Sequence, residues 1–381
     1  MLVRSLLCLL LFNLLLPASA HSKGELLWEF KTGGEIWSPL SLRDEIAYFG
    51  SDDGTFYALD TRRHQAAWRY QTGARVRSAA AFAKDLVLFA SDDGFLYALD
   101  RTSGKRVWKF DLGDAKIVRS LPSNLEASEY DYLKSSPVVA GETVYIGSAD
   151  KHLYAIDVDS GKLKWKFATG DKIRATPLVM EQQVCVGSWD HFFYCVDRLS
   201  GTELWRYDSK KAIQASAAFA DGKIIFGGRN PKLFALDAAS GKERWATRYK
   251  DGSWVESSAI VNQDILYVGS SDSFKLSAFS VATGEELWNF NTGGWTWMSP
   301  LLDDGVIYIG SIGARASYQA DTLLRSGFYA VDATSGKLLW QYQPTKLSGD
   351  YYTGGVFARP ALTSKAILVA DLDGSVKALA R

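Results

Sequence analysis

Eleven side chains in this sequence are of types that bind ligands or move protons, and they lie outside its most regular repeat. They are Trp37, Arg77, Arg174, Trp189, His191, Trp254, Glu256, Trp295, Trp297, Arg315 and Arg359. Indole rings offer large apolar surfaces with one polar edge, guanidinium groups pair with anions, and a carboxylate or imidazole can accept a proton. These residue types predict a site for a protein partner or for a small anionic or glycan ligand.

The histidines are the side chains that could serve in acid–base catalysis. His152 and His191 occupy equivalent turn positions in successive repeats, but no residue that would orient either imidazole is evident. The sequence also contains no nucleophile elbow, phosphate-binding loop or zinc-ligand spacing. We therefore predict exposed turn histidines, no catalytic residue and no metal ligand.

The elements that must position these side chains are repeats of about 40 residues. Tryptophan recurs at Trp28, Trp68, Trp108, Trp165, Trp205, Trp245, Trp288 and Trp340. Each unit contains four short stretches of strand-forming residues separated by turn residues, which is typical of one blade of a β-propeller. A blade buries its faces against its neighbours and is not stable alone.

The most specific element of the repeat is Ala-x-Asp-x-x-Ser/Thr-Gly-x-x-x-Trp. Residues 98–108, 155–165, 235–245 and 330–340 carry it in full, and the first copy has Arg63 and His64 where Ser-Gly is expected. Glycine can adopt the left-handed conformation of a tight turn, and Asp can accept hydrogen bonds from backbone amides there. The alanine leaves room for the indole, so we expect the eight repeated tryptophans to dock between blades.

This motif resembles the tryptophan-docking motif of the PQQ-type propeller family, which includes quinoprotein alcohol dehydrogenases and the BamB outer-membrane assembly proteins. The resemblance covers residues 25–381. It implies an all-β, eight-bladed propeller of four-stranded antiparallel blades in a single domain, residues 21–381. Residues 25–30 carry a fourth-strand sequence and residues 375–380 a third-strand sequence. We therefore expect the N-terminal strand to join the last blade and close the ring, which removes exposed strand edges.

The irregular segments of the repeat fall on one face. With the strands named A to D from the channel outward, residues 114–134 and 344–354 lengthen D-to-A connections, and residues 312–326 lengthen a B-to-C turn. The five tryptophans outside the docking motif lie in or beside the same kinds of connection. Insertions on one face of a repeat array often mark its binding face. Two interpretations stay open: an aromatic and arginine-lined binding site, or tryptophans that plug the central channel.

The resemblance leaves several functions open, because this fold carries unrelated ones. A BamB-like, non-catalytic binding or assembly scaffold is the first expectation, with a protein partner on the face that carries the three insertions. A PQQ-dependent oxidoreductase with calcium is an alternative, although the adjacent cysteines of those enzymes are absent and Asp52, Asp53, Asp92 and Asp93 are expected to be turn residues. A carbohydrate-binding or polysaccharide-cleaving propeller is a further alternative.

Cys185 and Cys195 are expected on adjacent strands of the fourth blade. If the hairpin centres on Asp190, the two cysteines are directly opposite, within the range that a disulfide spans. Two buried free thiols are the alternative.

Composition limits the possible ligands, and the N-terminal residues predict the cellular compartment. The 43 basic and 43 acidic residues cancel, so nucleic-acid binding has no electrostatic basis. Arg4, an apolar run and the small residues before His21 predict a signal peptide over residues 1–20, cleaved after Ala20. Cys8 follows Leu7 and does not resemble a lipidation site. We expect a periplasmic or secreted protein without a transmembrane segment after cleavage, as a monomer or within a complex.

Overall fold

The computed structural model describes residues 21–115, 117, 119, 131–249, 251–314, 323–348 and 352–381. These residues form eight antiparallel sheets, one per blade of a propeller, which confirms the predicted fold class. The predicted signal peptide, Arg315 and parts of the three insertions lie outside the described residues. None of the described segments forms a helix with the length and apolarity needed to cross a bilayer.

Each blade consists of four short strands, and the strand bounds follow the repeat. The first strand is β1 (Leu26–Lys31). Blade 1 contains β2 (Ser41–Arg43), β3 (Ile46–Gly50), β4 (Thr55–Asp60) and β5 (Gln65–Gln71), and blade 2 contains β6 (Ala81–Ala83), β7 (Leu86–Ala90), β8 (Phe95–Asp100) and β9 (Arg106–Asp111). Blade 3 contains β10 (Val138–Ala140), β11 (Thr143–Gly147), β12 (His152–Asp157) and β13 (Leu163–Ala168), and blade 4 contains β14 (Leu178–Val179), β15 (Gln183–Gly187), β16 (Phe192–Asp197) and β17 (Glu203–Asp208).

The second half of the ring repeats this order. Blade 5 contains β18 (Ala218–Ala220), β19 (Lys223–Phe226), β20 (Lys232–Asp237) and β21 (Glu243–Arg248), and blade 6 contains β22 (Ile260–Asn262), β23 (Ile265–Gly269), β24 (Lys275–Ser280) and β25 (Glu286–Asn291). Blade 7 contains β26 (Leu301–Asp303), β27 (Val306–Ala314), β28 (Gly327–Asp332) and β29 (Leu338–Tyr342). β30 (Tyr352–Gly355) precedes blade 8, which contains β31 (Ala361–Leu362), β32 (Ala366–Asp371) and β33 (Ser375–Ala380).

The two ends of the chain share one sheet. β1 pairs antiparallel with β33, with Trp28 opposite Ala378, and so forms the outer strand of blade 8. This pairing confirms the predicted ring closure. It leaves every blade with the same four-stranded order, so each one can bury both faces against neighbours.

The docking tryptophans join each blade to the next. Trp68 donates a hydrogen bond from its indole nitrogen to the carbonyl of Arg101 in blade 2, at 3.0 Å. Its ring lies against Gly104, whose φ is +70° and whose missing Cβ would stand 2.6 Å from the indole. Glycine is therefore required both for the turn and for the close approach. The same contact joins Trp108 to Gly161, Trp165 to Gly201, Trp205 to Gly241, Trp245 to Gly284, Trp288 to Gly336 and Trp340 to Gly24.

The seam between blades 8 and 1 departs from this rule. His64 occupies the glycine position with a φ of 57°, and its ring stacks on Trp28 at a centroid distance of 4.6 Å. An imidazole stacked on the indole thus replaces the indole–glycine contact.

Two further features deviate from the regular blade. Cys185 and Cys195 face each other across β15 and β16 and are joined by a disulfide. β27 continues past its blade, where Ile312 to Ala314 pair with β30. The insertions of blades 7 and 8 thereby form a small extra sheet above the channel.

Candidate functional site

The central channel is lined by one equivalent residue from each blade. This channel ring consists of Trp37, Arg77, Lys134, Arg174, Gln214, Glu256, Trp297 and Phe357. Each member stands eleven residues before the B-strand residue that pairs with the motif alanine, or with Cys195 in blade 4. The repeat therefore fixes the backbone position, while the side chains divide into a polar sector, from Arg77 to Glu256, and an aromatic sector formed by Trp297, Phe357 and Trp37.

The arginines of the polar sector form two-pronged ion pairs. Arg77 donates from Nε and Nη2 to the two carboxylate oxygens of Asp52, at 2.9 and 2.6 Å. Arg174 pairs in the same way with Asp131, at 2.7 Å for both bonds. Asp131 is fully buried and Arg174 nearly so. Paired geometry of this kind satisfies both charges in a medium of low dielectric constant.

Two further channel cations are neutralised as well. Lys134 donates to Asp114 at 2.7 Å, and Arg229 donates to Glu256 at 2.9 Å. Burial alone would raise the pKa of Asp131, but its attraction to Arg174 and Arg119 outweighs burial and holds that pKa below its usual value. For Lys134, burial dominates and lowers the pKa in spite of its acidic neighbours.

Tyr132 closes the channel and was not identified from the sequence. It lies at the end of the blade 3 insertion, and its ring stacks on Trp297 at 4.6 Å. Its hydroxyl donates to Glu256 at 2.7 Å and accepts a bond from the Gln214 amide at 3.2 Å. Burial and the Glu256 carboxylate raise the pKa of Tyr132 well above its ordinary value. Tyr132 therefore contacts both sectors of the channel ring.

A positional signal for Tyr132 exists in the repeat. It stands thirteen residues before Tyr145 on the B strand, as Trp254 does before Tyr267 and Trp295 before Tyr308. The repeat position that carries Trp254 and Trp295 in two other blades therefore carries this tyrosine in blade 3.

The aromatic sector fills the rest of the channel. Trp295 stacks on Trp297 at 4.8 Å, and Trp37 packs against Phe357 at 4.9 Å. The guanidinium of Arg77 lies 4.9 Å from the Trp37 ring centroid and joins the two sectors. Trp37, Trp295 and Trp297 are all buried. Of the two interpretations of the non-docking tryptophans, the plug therefore describes these three.

The other two tryptophans lie half-buried at the mouth of the channel. The mouth opens on the face that carries the D-to-A connections and B-to-C turns, which we call the loop face. The guanidinium of Arg229 lies between the rings of Trp189 and Trp254, 4.4 and 5.5 Å from their centroids. Lys172 lies 4.0 Å from the Trp189 centroid. Within the described part of the chain, the buried indole nitrogen of Trp189 has no hydrogen-bond partner.

The remaining predicted site residues are not part of this cluster. His191 is an exposed turn residue with a φ of 80°. Arg359 is exposed, and it borders the remaining channel cavity two residues beyond Phe357. Arg315 lies outside the described residues.

The aspartate pairs in the B-to-C turns have two roles rather than one. Asp53 is a turn residue as expected, because it accepts hydrogen bonds from the amides of Thr55 and Gly33 and from the Tyr57 hydroxyl. Asp52 instead reaches into the channel to Arg77. Asp92 likewise pairs with Arg119, at 2.6 Å. Asp52 and Asp92 are thus turn residues as expected, and their carboxylates in addition neutralise buried arginines.

The channel leaves little room for a cofactor. Its remaining cavity is about 90 Å³ and is lined on one side by Ser136, Thr176, Ser216, Ser258 and Ser299. Pockets for small molecules usually measure about 300–1,000 Å³. Among the described residues, no group of three His, Cys, Asp or Glu side chains could hold a metal ion. The channel side chains as placed do not fit a flat, anionic quinone such as PQQ.

Comparison with solved structures agrees with the fold. BamB from Moraxella catarrhalis is 15% identical, with a TM-score of 0.69, covering 94% of this chain and 99% of the other. The computationally designed Ika8 protein is 16% identical, with a TM-score of 0.69, covering 92% and 98%. A europium-containing methanol dehydrogenase is 14% identical, with a TM-score of 0.66, covering 91% and 84%. At these identities the likeness shows a shared fold.

Sequence comparison is more specific about the family. No protein with a curated description matches the chain at a significant level. The family model described as outer membrane protein assembly factor BamB matches residues 15–121, 92–194 and 190–380, which together span nearly the whole sequence. The chain therefore belongs to the BamB family of outer membrane protein assembly factors.

Proposed function

We propose that this protein is a non-catalytic scaffold that binds a protein partner through its loop face, outside the cytoplasm. The observation that carries the proposal is the cluster of Trp189, Arg229 and Trp254 at the channel mouth. Both tryptophans are half-buried, and the Trp189 indole nitrogen is buried without a hydrogen bond in the described residues. Tryptophan and arginine are the residue types most enriched among the energetically dominant contacts of protein interfaces.

The charges of the channel support a structural role for its interior. Arg77, Lys134 and Arg174 each have a carboxylate partner within 2.9 Å. A general base or a substrate-binding cation needs to be available to the substrate, whereas these groups are already neutralised and buried. Binding on the surface of the propeller therefore fits the molecule better than chemistry inside it.

The family name supports the class of partner. The matching family is described as an outer membrane protein assembly factor. The predicted signal peptide, residues 1–20, is consistent with export to the compartment in which such a factor works. We extend this role to the present chain as part of the proposal, with the partner docking on the loop face.

Site-specific photocrosslinking in the native host tests the proposal. A photoreactive residue is placed at His191 or Lys210 on the loop face and, as matched controls, at Leu199 or Lys162 on the opposite face; all four positions are exposed. We expect discrete protein adducts from the loop-face positions alone, reduced when Trp189→Ala is added. Adducts from only the opposite face, or none from His191 and Lys210, would overturn the proposal.

A glycan ligand is the second candidate, because the half-buried rings of Trp189 and Trp254 are the accessible indoles of the channel mouth. It predicts a saturable change in tryptophan fluorescence with soluble oligosaccharides that Trp254→Ala removes. The fluorescence titration uses purified protein and added sugar, whereas the photocrosslinking experiment uses the native host and no added sugar. The two experiments therefore distinguish the candidates.

A further inference from the structure

The cavity that remains in the channel has a positively charged wall. Five charged side chains border it, and four of them are cations: Arg77, Lys134, Arg174 and Arg359. The fifth, Glu256, is already bonded to a cation of its own. None of the aspartates bonded to the first three cations is part of the wall that the described residues form. The wall therefore carries more positive than negative charge, which favours an anion in the cavity.

Two of these cations keep donors that no described residue uses. Lys134 makes one hydrogen bond, to Asp114 at 2.7 Å, although an ammonium group has three donors. Arg174 uses Nε and Nη2 for Asp131, whereas its Nη1 lies 3.8 Å from Asp114, too far for a hydrogen bond. Both cations are more than nine-tenths buried. Buried donors without acceptors are costly, so a ligand that brings acceptor oxygens is favoured.

Arg359 is the cation of the wall that lacks a carboxylate. Its guanidinium makes no hydrogen bond or ion pair with any described residue. Partial burial lowers the pKa of Arg359, and no acidic neighbour counteracts that effect. Lys134 agrees with this pattern, because burial lowers its pKa in spite of two acidic neighbours. The positive charge at the cavity is therefore incompletely balanced by the chain itself.

Four hydroxyl groups add further donors to the wall. Ser136, Thr176, Ser216 and Ser258 are equivalent residues of blades 3 to 6, each two positions after a member of the channel ring. Each hydroxyl oxygen accepts the backbone amide of the equivalent residue in the preceding blade, at distances between 2.9 and 3.1 Å. Within the described part of the chain, none of the four O–H groups has an acceptor. All four residues are half-buried, so solvent reaches this level of the channel.

We propose that the cavity holds one small free oxyanion, phosphate or sulfate, bound by Lys134, Arg174, Arg359 and the four hydroxyl groups. One water molecule needs roughly 10–15 Å³ of such a cavity. The volume of about 90 Å³ therefore accepts several waters or one ion of this kind, although it is too small for a quinone. Donors that approach from several directions select an ion with several acceptor oxygens. The ion completes the charge balance of the channel, which goes beyond the proposed function and does not depend on a partner.

Isothermal titration calorimetry of the purified protein with inorganic phosphate tests the proposal, at neutral pH and in a constant excess of sodium chloride. We expect one saturable site from which sulfate displaces phosphate. Glycerol 3-phosphate should bind about tenfold more weakly, because its carbon atoms overpack a cavity of this size. The absence of saturable heat up to about 10 mM phosphate would overturn the proposal. Equal affinity for glycerol 3-phosphate would overturn the assignment to a free ion, since the site would then accept a phosphate ester.

Arg359→Gln removes the unpaired cation and should weaken phosphate binding about tenfold, the loss of one charged hydrogen bond. Arg248→Gln is the matched control, because Arg248 is exposed at the end of β21 and its loss should leave the affinity unchanged. Ser216→Ala removes one hydroxyl donor and should weaken binding about fivefold. Equal losses in Arg359→Gln and Arg248→Gln would indicate a general effect of net charge and would contradict the assigned site. If Arg359→Gln does not fold, unchanged affinity in Ser216→Ala is the result that contradicts it.

Discussion

The polar and aromatic sectors of the channel ring occupy the same position of the repeat but are stabilised by different interactions. In the polar sector, Arg174 and Asp131 are held by two bonds of fixed direction at 2.7 Å. In the aromatic sector, Trp297 contacts the flat faces of Tyr132 and Trp295. Stacked rings tolerate small changes of shape, whereas a buried ion pair tolerates no loss of charge on one side.

This difference shows how a repeated backbone can carry a unique centre. A ring of eight identical side chains would have no preferred arrangement, but two unlike sectors and one bridging tyrosine define a single packing. Tyr132 is the point at which the sectors meet, because its ring stacks on Trp297 while its hydroxyl bonds to Glu256. Substitutions in the two sectors should therefore differ in cost and in pH dependence.

The largest effect is expected for Tyr132→Ala, which damages both sectors. Loss of a buried aromatic side chain costs about 3–5 kcal/mol, and Glu256 also loses a hydrogen-bond donor. We expect the free energy of unfolding to fall by about 5 kcal/mol, measured in urea. Tyr132→Phe, which keeps the ring, should lose about 1–3 kcal/mol. Equal losses in the two variants would contradict a bridging role.

Asp131→Asn tests the polar sector alone. It keeps the shape but removes the carboxylate that Arg174 binds at 2.7 Å and leaves only Asp114, at 3.8 Å, so we expect a loss of about 3 kcal/mol at pH 7 in urea denaturation. Asp159→Asn, which breaks an exposed pair with Lys84, is the control and should cost less than about 1 kcal/mol.

The pH dependence of Asp131→Asn follows from the lowered pKa of Asp131. A lowered pKa gives stability that is present above the unfolded-state value, about 3.9, and is lost as the pH falls through the folded-state value. The difference between the unmodified protein and Asp131→Asn should therefore shrink on acidification below about pH 4. A difference that stays constant down to pH 2 would contradict the ion-pair account.

Asp272 should behave in the opposite way. Burial and the neighbouring Glu256 raise its pKa to about 6. A carboxyl group whose pKa is raised by folding favours the folded state at low pH and costs stability as the pH rises from about 4 to 6. We expect Asp272→Asn to stabilise the protein by about 2 kcal/mol at pH 8 and to have little effect at pH 4. Urea denaturation at both values checks this, and an Asp272→Asn protein no more stable at pH 8 would refute it.

The smallest effect is expected for Phe357→Leu in the aromatic sector. Phe357 packs edge-on against Tyr132 at 5.4 Å and against Trp37 at 4.9 Å. A hydrophobic replacement of similar size usually costs less than about 1.5 kcal/mol. The loss should also be the same at pH 4 and pH 8. A cost equal to that of Asp131→Asn would mean that the two sectors do not differ as described.

The propeller could be predicted because its signals are local and repeated. Seven of the eight docking tryptophans come with their own turn glycine, and the strand that begins at Leu26 completes the blade that contains the last strand, Ser375–Ala380. A periodic sequence of this kind gives the blade count and the closure together. The departure at His64 was also visible in the sequence, although its stacking on Trp28 was not.

The centre of the molecule was less predictable, because its contacts join residues that are far apart in the chain. Tyr132 and Glu256 are 124 residues apart, and nothing local to either residue indicates the other. Asp52 and Asp53 are adjacent and identical in type, yet one reaches the channel and the other closes a turn. Only the geometry of the eight blades separates these roles.

The central claim is that the channel is filled and structural, so that the protein acts by binding on its surface. Its most direct test is a titration with PQQ in the presence of Ca²⁺, followed by intrinsic tryptophan fluorescence and corrected with free N-acetyltryptophanamide. We predict no saturable change, because the remaining channel cavity is about 90 Å³. Saturable quenching at micromolar PQQ that Trp297→Phe weakens would contradict the account and would indicate a quinone site in the channel.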